Sequence, residues 1–147
     1  MIRPVLALSL AVLPALPFAA KAGPTVDAMA NCLVMNTTGA ERVMMIRWIT
    51  FAFAAHPSVS TSVQIDASQI EPTDREVAAL FTALLTERCP NETRAAYQAE
   101  GQAAIEGAFN VLGTVASSEL MMAPEVSGAM TGFTAYIDET ALNAVLQ

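Results

Sequence analysis

One histidine, one lysine and two cysteines in 147 residues are scarcities that each remove a class of chemistry. With His56 alone, any site built on two imidazoles is excluded, and no acid lies four residues to either side of it to complete a metal pair on a helix. Cys32 and Cys89 stand 57 positions apart, which excludes a redox pair of the C-x-x-C kind. Seven basic residues face fourteen acids, and the formal net charge is −7. Nucleic acid and anionic membrane surfaces demand a basic face, so neither is expected as a partner. No G-x-S-x-G elbow occurs, nor the alternating strands that would support one. The longest apolar run, from Val5 to Ala20, falls short of the roughly 20 residues that span a bilayer and is interrupted by Pro14 and Pro17.

That run has a different use. It follows Met1-Ile2-Arg3-Pro4 and ends in the small-x-small step Ala20-Lys21-Ala22, the three parts of a secretory signal. Cleavage after Ala22 is expected, dividing the chain into a signal peptide at 1–22 and a domain at 23–147. Cys32, preceded by Met29-Ala30-Asn31 and far from the apolar run, does not suit lipid attachment. Loss of Arg3 and Lys21 leaves five arginines against fourteen acids, a charge of −9, and no lysine at all. The expected location is periplasmic or secreted. In such an oxidising compartment Cys32 and Cys89 pair most simply as a disulfide. The competing reading, a reactive thiol, has only His56 to activate it.

The rest of the chain reads as helix. Thr25 can cap a first helix running to Asn36, and Thr38-Gly39-Ala40-Glu41 has the spacing of a capping box that opens a second, to about Ala55. This second helix is apolar nearly all round, from Val43 to Phe53, and is expected to be the enclosed one. Pro57 ends it by biasing His56 away from helical geometry. Residues 58–71 read as a loop with a helical turn, and Thr73-Asp74-Arg75-Glu76 as a second capping box. Behind it Val77, Leu80, Phe81, Leu84 and Leu85 recur at helical spacing. From Glu92 to Met122 a long run bends at Gly101 and buries Ile105, Phe109, Leu112, Ala116 and Leu120, while Gly107 and Gly113 let a neighbour approach. Pro124 begins a last section presenting Val126, Met130, Phe133 and Ile137, and Asp138 caps a short terminal helix. The fold class expected is all-α, a single compact bundle of five or six helices with one disulfide.

Candidate binding residues are Arg47, Trp48 and His56. An arginine inside an apolar helix must find a carboxylate or reach solvent, so Arg47 either makes an internal ion pair with a glutamate of the fourth helix, the run that follows Glu92, or anchors an anionic ligand or partner. His56 serves either as a site or as a helix terminator before proline. Met44-Met45 and Met121-Met122 raise copper(I), but neighbours on a helix point about a third of a turn apart, and core filling is the plainer use. No metal, cofactor or catalytic residue is assigned.

The run Cys32-Leu33-Val34-Met35-Asn36-Thr37-Thr38, with Arg47-Trp48 and His56-Pro57, resembles small uncharacterised exported helical proteins of Gram-negative bacteria. The resemblance covers residues 32–57 and implies export and a helical fold, with no activity attached. In size, disulfide and helical build the chain is also similar to periplasmic immunity proteins that bind secreted toxins. The reading is a non-enzymatic binding module, inhibitor- or immunity-like, whose acidic surface meets a basic protein partner. The alternatives are a carrier of a small apolar ligand between helices and a hydrolase of unrecognised type.

Overall fold

A computed structural model describes residues 23–146; the signal-peptide reading of 1–22 lies outside the described residues. Eight α-helices and no strand occur among them: α1 (Pro24–Met35), α2 (Gly39–Ala54), α3 (Pro57–Ser60), α4 (Ile70–Ala83), α5 (Pro90–Glu100), α6 (Gln102–Met121), α7 (Pro124–Thr131) and α8 (Glu139–Leu146). The five longest, α1, α2, α4, α5 and α6, form one bundle.

Its centre is the α1–α6 contact. Met29 and Leu33 on α1 and Ala104, Ala108 and Leu112 on α6 are fully buried, with Ala30 beside them. Small residues set this geometry. A Cβ added at Gly107 would meet Val26 Cγ1 at 3.3 Å, so α1 lies on α6 as closely as a residue without a side chain permits. Gly113, expected to do the same, faces open space instead.

The second helix is not the enclosed one. Only Met45 and Ala54 of α2 are buried, and Val43 and Phe53 are exposed. The reason is competition for the centre: α1 sets Val26, Met29, Ala30 and Leu33 against the small residues of α6 and also packs on α5, whereas α2 carries bulk on every side and lies across α4 and α6. The capping box at its start forms as expected. Glu41 N donates to the Thr38 hydroxyl at 3.2 Å and Thr38 N to Glu41 Oε2 at 2.8 Å. The second expected box does not form, because α4 begins a turn earlier at Ile70 and Thr73 is buried inside it. Pro72 is tolerated there because the first turn of a helix has no use for its missing N–H.

After Ala83 the helix widens into a π-turn over Leu84–Arg88, closed by Cys89 N donating to Leu84 O at 2.9 Å. The turn delivers Cys89, fully buried, to Cys32 on α1. The disulfide is formed, with Cα atoms 6.0 Å apart. It therefore staples α1 to the α4–α5 corner. Gly101, at φ 65°, makes the bend between α5 and α6, a backbone conformation that favours glycine.

Candidate functional site

Arg47 and Trp48 face α4. The Trp48 Nε1–H donates to Asp74 Oδ1 at 2.9 Å, and Arg47 Nη2 lies 3.3 Å from Glu76 Oε2. The Trp48 ring meets Phe81 edge-on at 6.2 Å, and Phe81 meets Phe109 of α6 at 4.3 Å, so an aromatic chain crosses from α2 through α4 to α6. The arginine's ion pair is therefore half-exposed rather than internal, and is made with Glu76 of α4 rather than with a glutamate of the run after Glu92. His56 stands beyond the end of α2 and caps α3, its Nδ1 accepting from Ser58 N at 3.2 Å. The side chains of Arg47, Trp48 and His56 thus each make one hydrogen bond within the fold, and none joins the histidine to the other two.

The strongest polar cluster sits at the α1–α2 turn. Arg88, swung out by the π-turn, binds both Glu41 oxygens at 2.8 and 3.1 Å and the Asn36 carbonyl at 2.7 Å. Its hydrogen bond is the main cause that holds the Glu41 carboxyl at about 2, well below its ordinary 4.5; the Thr38 amide and hydroxyl act in the same direction and burial opposes them. Nearby, Arg42 pairs with Glu119 of α6 at 2.6 Å and also donates to the Thr37 carbonyl. Sequence reading marked Thr38 and Glu41 as a capping box and did not single out Arg42, Arg88 or Glu119. Their signal was present only as scattered arginines in an acidic chain.

Clefts open to solvent mark the bundle. One of about 640 Å³ lies between α2 and α6 and is lined by Ile49, Phe53, Gly113, Met121 and Met122 among others. A second of about 430 Å³ lies under the α3 loop between Phe51 and Ile65, and a third of about 280 Å³ surrounds Arg42 and Glu119. Among the described residues no three of histidine, cysteine, aspartate and glutamate gather as a metal site would require. No described helix is long and apolar enough to cross a membrane.

The unusual surface is the carboxy-terminal segment. After Pro124 the chain runs through α7, a 3₁₀ stretch at Gly132–Tyr136 and α8, and only α7 touches the bundle, at the end of α6. Met130, Phe133, Tyr136, Ile137, Leu142, Val145 and Leu146 are all exposed, Tyr136 at 90% and Val145 at 83%. Met130, Phe133 and Ile137, which the sequence reading has this section present, are therefore uncovered, because no helix of the bundle lies opposite them. Asp138 caps α8 as expected, accepting from Ala141 N at 3.0 Å. The segment carries Glu125, Asp138 and Glu139 and no basic residue.

No protein-family model, curated protein or solved structure matches the chain.

Proposed function

We propose that this is an exported, periplasmic or secreted, non-catalytic binding module, and that residues 124–146 are its contact element. The observation that carries the reading is the run of seven large apolar side chains held in helices yet left uncovered. Monomeric proteins rarely leave such apolar surface exposed unless something binds it, and an amphipathic helix laid into a partner's groove is a recurring mode of recognition. The surrounding charge selects the partner. Three acids within the segment, on a chain that is strongly acidic throughout, favour a protein whose apolar groove is rimmed by lysine and arginine. The likeness to exported helical proteins and the disulfide agree with an oxidising compartment.

The carrier reading has less support, since a ligand site of that kind encloses its occupant and the clefts here are open. The test is capture from the native compartment with the mature chain and with a chain ending at Ala123. A basic protein retained by the first and absent from the second supports the reading. Equal retention by both places binding on the bundle and overturns it.

A further inference from the structure

We infer that Glu100 is the built-in counter-ion of the amino terminus created by cleavage between Ala22 and Gly23. The inference rests on the export reading and adds to it a structural consequence of processing. Hydrolysis of the Ala22–Gly23 bond, carried out by the signal endopeptidase of the export route, adds one water. Ala22 leaves with a carboxylate, and Gly23 keeps an amine that takes up a proton at neutral pH. A neutral amide nitrogen thereby becomes an ammonium with three donors.

Three observations place Glu100 to receive it. Gly23 is the N-cap of α1, and its carbonyl accepts from Asp27 N at 3.0 Å, which fixes its backbone to the helix. A side chain on Gly23 would run into the Glu100 carboxylate, so one oxygen of that carboxylate already lies beside the carbon that bears the nitrogen. Glu100 is also the last residue of α5, where a negative charge opposes the helix dipole, and no arginine among the described residues pairs with it. An acid placed against the dipole and without a side-chain cation is accounted for by a cation that processing supplies.

The ammonium in turn stands at the positive end of α1, where it is disfavoured unless acids face it. Asp27 in the first turn of α1 and Glu100 at the end of α5 are both acidic.

The loss of Lys21 makes the test unusually selective, because the mature chain then has no lysine and an amine-directed acylating reagent can modify only its amino terminus. Protein is taken from the export compartment, and its first residue is read by intact mass. Acylation rates at pH 7 are then compared for the mature protein, its Glu100→Gln variant and a free peptide beginning Gly-Pro-Thr. A carboxylate that holds the proton on the amine should slow acylation about threefold or more relative to both, which corresponds to half a pKa unit. Acetylation should also lower the melting temperature of the wild type by about 2–4 °C and leave that of Glu100→Gln unchanged. Equal rates in all three samples overturn the pair while leaving export intact. A first residue other than Gly23 overturns it through the cleavage site itself.

Discussion

Glu41 takes part in two interactions at once, closing the capping box of α2 and receiving both Nη atoms of Arg88. Because its carboxyl is held at about 2 against an ordinary 4.5, the stabilisation it provides is complete above about pH 4.5 and is lost as the pH falls through 2. Glu41→Gln should therefore cost about 1–2 kcal/mol at neutral pH, part of the pair's value being screened by solvent, and should flatten the loss of stability between pH 4.5 and 2. Urea melts across that range check both. Trp48→Phe should keep the ring contact with Phe81 and leave Asp74 without its donor, at a cost of about 1 kcal/mol. At this scale local chemistry was legible and long-range partners were not. Thr38 and Glu41 are three residues apart and announce their box. Arg88 and Glu41 are 47 apart, and only the π-turn at the end of α4 brings them together.

Helices were legible by their punctuation, Pro57, Gly101 and Pro124 marking breaks that the fold uses. Their order from centre to surface was not. Hydropathy favoured α2 for the enclosed position, yet steric bulk decided the matter, and α1 took the centre through Ala30, Ala104, Gly107 and Ala108. The two helical glycines of α6 should respond oppositely to substitution. Gly113→Ala meets nothing within 4 Å and should stabilise by about 0.5–1 kcal/mol, the ordinary gain in helix propensity. Gly107→Leu must displace Val26 and the α1 backbone and should destabilise by about 1–3 kcal/mol. Thermal unfolding of the two variants distinguishes close packing from mere helical register. The false capping box at Thr73 has a similar origin. Asp66 caps a 3₁₀ turn by accepting from Ser68 N at 2.9 Å, and that turn leads straight into Ile70, so α4 has already begun when Thr73 is reached.

For the molecule as a whole, the disulfide closes a loop that contains α2 and α4, and it should contribute up to about 4 kcal/mol by restricting the unfolded chain. Cys32→Ala with Cys89→Ala should lower the melting temperature by several degrees while circular dichroism shows the helices intact, since the α1–α6 contact does not depend on the bond. An all-helical fold joined by Cys32 and Cys89 was readable in advance from caps, periodicity and cysteine count. The carboxy-terminal segment was not, because helical periodicity identifies an apolar face without saying whether anything covers it. That uncovered face is the basis of the functional proposal. Its most direct test is a photo-crosslinking residue placed at Phe133, which is 65% exposed and away from every bundle helix, with irradiation in the native compartment. A discrete adduct with one basic protein, weakened by high salt, is the result expected; no protein adduct from this position, with adducts arising only from positions on the bundle, would contradict the account.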